Sequence, residues 1–348
     1  STVSTSSCPV SPWTISKPDM EHKINYVSAA EAVKLIESGD HIYLQGSTSI
    51  PEALSQALAD RGPELRDVTV YTGFGVGRGP SPLCRPEYKD SFLIDSFFVN
   101  NTVRKWIDEG YGSMTPRFLG QVPALIRDGS WRVDVAVLNC SLPNEEGLVS
   151  FGVSGDVACS AVECADRIIA QINPKMPFSY GDPTVHISRI NACVAVDEDL
   201  VEVPTPAPTE AEIAIGELIA ERIPNGATLQ IGVGGIPNAV VQALGNHRHL
   251  GLHTEAMTDG VLPLLQSGVI DNSEKKVLPG LSVASLALGS RHLYDYMDKN
   301  PDIIFRDVAW TNNPYVIAQN PKVVSINSCL EIDLTGQVCA DSIGKRIF

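Results

Sequence analysis

A chain of 348 residues is long enough for two domains with full cores, and 43% hydrophobic against 19% charged residues is an ordinary globular balance. A formal net charge of −15 makes nucleic acid and anionic membrane surfaces poor partners, yet leaves room for an anionic small ligand held by backbone N–H groups. No apolar stretch reaches the ~18 residues that a membrane-spanning helix requires.

Residues 1–16 are rich in Ser, Thr and Pro and lack the apolar stretch of a secretory signal. The expected compartment is the cytoplasm, or the mitochondrion if a transit peptide has been removed. Ser28-Ala-Ala-Glu31 is a capping box and predicts a helix over 29–37. A strand is expected over 41–45, and after the Gly46 turn Pro51 opens a helix over 51–60. Short apolar runs at 68–72, 134–138 and 192–196 read as buried parallel strands, and 122–127 and 158–165 read as helices.

Pro204, Pro206 and Pro208 stand at alternate positions, a spacing that excludes helix and suits an extended linker. The predicted division is therefore an N-terminal domain over 1–203, a linker over 204–209 and a C-terminal domain over 210–348. A second capping box, Thr209-Glu-Ala-Glu212, opens a helix over 210–222, followed by a strand over 227–231, a glycine turn, a helix over 237–244 and a strand over 250–254.

One phrase occurs twice. Ile50-Pro-Glu-Ala-Leu-Ser-Gln-Ala-Leu58 returns as Ile236-Pro-Asn-Ala-Val-Val-Gln-Ala-Leu244, with Gly46 and Gly232 matching at the same offset. So long a period suggests two related α/β domains with largely parallel sheets. At that offset, the position equivalent to Glu255 is Thr69.

The loops before the two copies differ. Gly46-Ser-Thr-Ser49 precedes the first, and Gly232-Val-Gly-Gly-Ile236 precedes the second. Glycines let a backbone approach a ligand, and a helix N-terminus offers N–H groups to an anion. Glu255 follows the next strand at the same sheet edge, where open α/β sheets bind ligands. Gly232, Gly234 and Glu255 nearly form a dinucleotide fingerprint, but Pro237 takes the place of its third glycine. A nicotinamide enzyme is therefore the weakest reading.

His247, His249 and His253 lie near Glu255, but the first two fall in a polar turn; convergent ligands are lacking and no metal is expected. Asp259-Gly260 and Asn144-Glu-Glu-Gly147 read as turns, Trp131 and Trp310 as core or cleft walls. Nothing singles out Arg104, Lys105, Arg127 or Arg132 as phosphate contacts. None of the eight cysteines forms a C-x-x-C pair, and reduced, buried thiols are expected.

Gly232-Val-Gly-Gly-Ile-Pro-Asn-Ala-Val240 with Gly251-Leu-His-Thr-Glu-Ala-Met-Thr-Asp-Gly260 resembles the acetyl-CoA hydrolase/CoA-transferase family, closest to its 4-hydroxybutyrate CoA-transferase branch. Leu293-Tyr-Asp-Tyr296, Thr311-Asn-Asn-Pro314 and Ile326 to Gln337 add to the match, which runs from about residue 23 to the end. The resemblance implies that Glu255 is the catalytic glutamate. It implies that Gly232, Val233, Gly234, Gly235 and Ile236 bind CoA, that Asn312 (less strongly Asn327) sits near the reacting thioester, and that Gly46–Ser49 faces the acyl group across the domain cleft.

The implied activity is transfer of CoA between an acyl-CoA, with acetyl-CoA favoured, and a short carboxylic acid such as 4-hydroxybutyrate. A covalent glutamyl-CoA intermediate carries it. Coenzyme A is then substrate, no cofactor is tightly bound, and a homodimer or larger homo-oligomer is expected. A hydrolase using the same intermediate and a non-catalytic CoA-binding protein are the alternatives. Family members continue past the stretch resembling Ala340-Asp-Ser-Ile-Gly344 into a segment with further CoA contacts. A truncated product, a fragment paired with a separate piece, or an inactive relative is the corresponding expectation.

Overall fold

The computed structural model describes residues 24–203, 205–344 and 346–347. Cys8, Pro204 and the Ser/Thr/Pro-rich stretch over 1–16 lie outside the described residues. The first ten strands are β1 (His41–Leu44), β2 (Val68–Thr72), β3 (Phe92–Ser96), β4 (Gly112–Met114), β5 (Val135–Cys140), β6 (Leu148–Ser150), β7 (Arg167–Ile172), β8 (Tyr180–Gly181), β9 (Thr184–His186) and β10 (Ala192–Ala195). There follow β11 (Thr228–Ile231), β12 (Gly251–Leu252), β13 (Ala256–Thr258), β14 (Ser282–Ala284), β15 (Leu286–Leu288), β16 (Ile303–Phe305) and β17 (Val323–Ile326).

The strands expected at 68–72, 134–138 and 192–196 enter one seven-stranded parallel sheet, in the order β10-β7-β5-β1-β2-β3-β4. Their mainly apolar composition fits a sheet covered on both faces. Ile42, Leu44, Val70 and Val137 pack beneath Leu54 and Leu58 of the helix Glu52–Asp60. Tyr43, Ala136 and Leu138 pack on the opposite face with Val122, Ile126 and Ala158.

The second half forms smaller parallel units. β12-β11-β17 is one, and β14-β16-β8 another. A parallel bridge from His253 to Val283 joins them. β8 comes from the first half of the chain, so the sheets of the two halves interleave across the expected boundary. Thr48 Oγ1 lies 3.1 Å from the hydroxyl of Tyr294, which donates to the Val201 carbonyl at 3.1 Å, a further tie between the halves.

The duplicated phrase occupies equivalent topological places. β1 lies between β2 and β5, and β11 between β12 and β17, so each copy follows the strand from which its sheet is built out to both sides. Counting along the ladders from Tyr43↔Tyr71 and Leu229↔Leu252 puts Phe74 beside Gly46 and Glu255 beside Gly232. Phe74 is thus the counterpart of Glu255. Thr69, reached by the ungapped offset, lies opposite His41 at the start of β2, because the connections before β2 and β12 differ in length.

Several element ends shift for identifiable reasons. The helix expected over 29–37 is α-helical only at Ala29–Ala32 and tightens into a 3₁₀ turn, Val33–Leu35, where the Arg61 guanidinium binds the Val33 and Ile36 carbonyls. Pro51 caps its helix rather than entering it. The helix expected over 237–244 begins earlier, at Gly235, because Gly234 takes φ 142°, a conformation that favours glycine. Both capping boxes form. Among the described residues, no helix is long and apolar enough to cross a membrane, and seven cysteines are free; only Cys140 and Cys193 of these are fully buried, and Cys329 is exposed.

The helix Glu210–Ala220 lies against Gly235–Ala243 with Gly216 at the contact, where a β-carbon would come within 2.7 Å of the Ala239 carbonyl carbon. Gly216→Ala improves helix propensity by about 1 kcal/mol but forces the helices apart, and the expected net result is a loss of about 1–2 kcal/mol. A lowered denaturant midpoint with unchanged slope is the expected readout. A raised midpoint would show that the contact is slack.

Candidate active site

The glycine loop is open at its tip, and the Glu212 carboxylate lies against it at Gly235. Val233 and Gly234 are exposed, and the helix Gly235–Ala243 begins with no side-chain cap. The first N–H groups of a helix have no partner within it. Pro237 has no N–H to satisfy, and the Asn238 N–H bonds back to the Gly234 carbonyl at 3.1 Å. Gly235 and Ile236 therefore present donors at the positive end of the helix dipole.

Glu255 is carried to this loop by the parallel pairing of β12 with β11. The preceding residue, Thr254, clasps the residue before Gly232: its hydroxyl donates to the Ile231 carbonyl at 3.0 Å and accepts from the Ile231 N–H at 3.1 Å. From behind, the Glu255 carbonyl accepts the N–H groups of Ser285 and Leu286 at 3.0 and 3.1 Å. The half-buried side chain meets Asn312, whose Nδ2 donates to Oε2 at 2.5 Å. Burial raises the Glu255 carboxyl above its ordinary range, and the Asn312 bond draws it partly back by favouring the charged form. Two sequence candidates 57 residues apart thus form one unit.

Asn327 lies against the glycine loop at Gly232. Its amide donates to Gln230 Oε1 at 2.9 Å and Ser325 Oγ at 3.0 Å, bracing the ends of β11 and β17 beneath the glycine loop. Its Oδ1 lies against Gly232, 2.5 Å from where a β-carbon on that glycine would stand. The Gly46–Ser49 loop is buried throughout, and no hydrogen-bond partner is present for the Ser47 and Ser49 hydroxyls among the described residues. The first half reaches the neighbourhood of Glu255 through Phe74, which packs with Ala256 and Leu286.

Asp156 is a neighbour that the sequence reading passed over. It is buried, accepts from Ser154 Oγ at 2.9 Å, and its carbonyl accepts the Val308 N–H at 3.2 Å. Burial pushes its carboxyl up to about 6; the charges of Glu255 and Asp307 act in the same direction, against the bonds from Ser154 and Val157. The available signal was that Asp156 is the one charged residue in the stretch 147–162. A lone charge in an apolar run is either paired or functional.

The remaining candidates separate. Arg127 bridges Asp307 at 2.7 Å and Glu163 at 2.8 Å, Arg132 pairs with Asp134, Lys105 with Glu109, and Arg104 donates to the Val99 carbonyl. His247 meets the Ile223 carbonyl, His249 meets Asp271, and His253 turns to the Thr311 carbonyl at 2.8 Å. Among the described residues no cluster of three or more His, Cys, Asp or Glu could hold a metal. Asp259 accepts from Ser290 N–H and Oγ, and the Asn144 side chain closes its own turn onto Glu146 and Leu148. Trp131 is core, stacked on Tyr71, whereas Trp310 stacks on His253 beside the site. A cavity of about 30 Å³ with Ser55 and Thr72 in its wall lies under the helix Glu52–Asp60, with room for a water rather than an acyl group.

Comparison with known proteins gives the family of the chain. The acetyl-CoA hydrolase/transferase N-terminal domain matches residues 17–204 and the corresponding C-terminal domain matches 289–348. A succinyl-CoA:acetate/propanoyl-CoA:succinate CoA transferase of Fasciola hepatica is 40% identical over 91% of this chain and 66% of its own length. The 4-hydroxybutyrate coenzyme A transferase of Clostridium kluyveri is 36% identical over 93% of this chain and 75% of its own. The crystal structure of a 4-hydroxybutyrate CoA-transferase from Porphyromonas gingivalis superposes with a TM-score of 0.80 at 38% identity, covering 90% of this chain and 75% of that one. The chain therefore spans two thirds to three quarters of the length of these relatives, and it belongs to the acetyl-CoA hydrolase/transferase family.

Proposed function

We propose that the chain transfers CoA between an acyl-CoA and a short carboxylic acid, with Glu255 as the nucleophile. The observation that carries the reading is the Asn312–Glu255 contact of 2.5 Å beside the glycine loop. Partial burial strips water from the carboxylate, and the Asn312 amide keeps it charged and aimed.

In the first step a Glu255 carboxylate oxygen attacks the thioester carbonyl, the C–S bond breaks, and a mixed anhydride and CoA thiolate result. The thiolate then attacks the glutamyl carbonyl, expelling the substrate acid as its carboxylate and leaving a glutamyl-CoA thioester. A second carboxylate runs the same steps in reverse, so no proton is gained or lost overall. The Asn312 amide, or N–H groups of the glycine loop such as those of Gly235 and Ile236, would face the developing negative charge. Binding of the long CoA chain away from the reacting carbon supplies orientation. Acetyl-CoA and 4-hydroxybutyrate are the favoured pair, the latter in line with the named activity of two of the relatives above.

The test is incubation with acetyl-CoA, trapping with hydroxylamine or borohydride, and mass analysis. Modification at Glu255, absent in Glu255→Ala, is expected; modification elsewhere, or none with CoA still bound, would sink the covalent reading. Supplying 4-hydroxybutyrate against water alone then separates transfer from hydrolysis.

Asn312→Ala should lower kcat on the order of 10²-fold, as for loss of one preorganised donor. The pH dependence has a definite sign. The ionised carboxylate attacks, so activity falls as pH drops through the raised pKa of Glu255. Deleting the Asn312 bond, which favours the ionised form, raises that pKa further. The acid limb of kcat/KM should therefore move to higher pH in Asn312→Ala, and a limb that stays in place would show that the contact does not hold the charge.

A further inference from the structure

Asn312 ends a helix of one turn, Val308–Thr311. A single turn has no stability of its own and keeps its place only through what it touches. Asp307 caps it by accepting the Ala309 N–H at 2.7 Å while bound to Arg127. Trp310 is clamped between the His253 ring, with centroids 5.6 Å apart and planes at 25°, and the Arg306 guanidinium, 4.4 Å from its centroid. Arg306 is itself held by Asp182 at 2.8 Å. The last carbonyl before Asn312, that of Thr311, receives His253 Nε2 at 2.8 Å.

His253 therefore touches both parts of the contact. It stands two residues before Glu255, fixed in its ladder by an N–H bond to the Leu229 carbonyl, and it binds the peptide that immediately precedes Asn312. A carbonyl can only accept, so Nε2 carries the proton. Nδ1 is buried and has no hydrogen-bond partner among the described residues.

We propose that His253 is a positioning residue: through Nε2–H on the Thr311 carbonyl and its ring on Trp310, it sets the distance and angle at which Asn312 meets Glu255. The inference rests on the reading of Glu255 as nucleophile. Burial and the neighbouring Lys275 lower the pKa of His253, which keeps the ring neutral. Among the described residues, Arg306, Asp182, Arg127, Glu163, Asp307, Asp156 and Glu255 also bring charge to the assembly.

His253→Phe keeps a ring against Trp310 and deletes the donor. It should lower kcat on the order of 10–10²-fold with KM for the acyl-CoA unchanged, the size of effect expected from a misplaced reacting group. It should also move the acid limb of kcat/KM to higher pH, in the direction of Asn312→Ala. His253→Gln, which retains an N–H donor, should restore the limb towards its wild-type position. In the Asn312→Ala background, His253→Phe should cost little more, because the contact it serves is already gone. A wild-type limb in His253→Phe, or a full further loss in the double variant, would overturn the inference. Should His253→Phe not fold, Trp310→Leu decides: the same limb shift supports the role and an unmoved limb refutes it. Glu255→Ala is assayed in the same series. Activity surviving there refutes the nucleophile itself, whereas an inactive Glu255→Ala with an unmoved His253→Phe refutes only the positioning role.

Discussion

A carboxylate drawn out of water loses its charge unless a donor is aimed at it. Glu255 is in this position, raised by burial and partly drawn back by a single amide. That amide arrives from a segment 57 residues further along the chain. Its placement depends on a one-turn helix fastened by Asp307, Trp310 and the Thr311 carbonyl. The chemistry proposed for Glu255 is therefore only as well defined as the packing of 307–312 on 253–255.

The second requirement is that the glutamate and the glycine loop share one edge. Parallel pairing of β11 with β12 meets it, because parallel neighbours end on the same side, and Thr254 fixes the register by bonding both main-chain groups of Ile231. The first half repeats the plan without the chemistry. Phe74 stands beside Gly46 where Glu255 stands beside Gly232, and its ring packs towards Ala256. Two copies of one topology thus meet, one bringing a carboxylate and the other an apolar wall.

The interior near the site holds an unusual share of ionisable groups. Asp156, Asp307 and Glu255 are all pushed up by burial, with Arg127 as the main counter-charge at Asp307. Lys275 is buried with two carbonyls, of Leu252 and Leu281, as its acceptors, and burial pulls its ammonium down to about 7. Such groups reduce stability unless paired or neutral. Their concentration around residues 252–255 and 307–312 marks where stability gives way to a fixed polar geometry.

Local chemistry settled much from the sequence. The two capping boxes, the apolar runs of β2, β5 and β10 and the repeated phrase each carry their meaning in adjacent residues, so the parallel α/β architecture and the glycine loop were legible. The spacing of Gly232 and Glu255 also pointed to one sheet edge. Other features depend on residues distant in the chain. The tightening of 33–35 needs Arg61, the interleaving of the halves needs β8 beside β16, and the bracing of the ends of β11 and β17 by Asn327 needs Gln230 and Ser325. The surroundings of Asp156 and His253 likewise emerge only from three-dimensional neighbours, since nothing within a few residues says what a buried carboxyl or imidazole faces. The sequence by itself determined which elements form and where donors and carboxylates stand along them. Only the tertiary structure decided which of those groups meet, because hydrogen bonds and desolvation act over a few ångströms of space, whatever the separation along the chain.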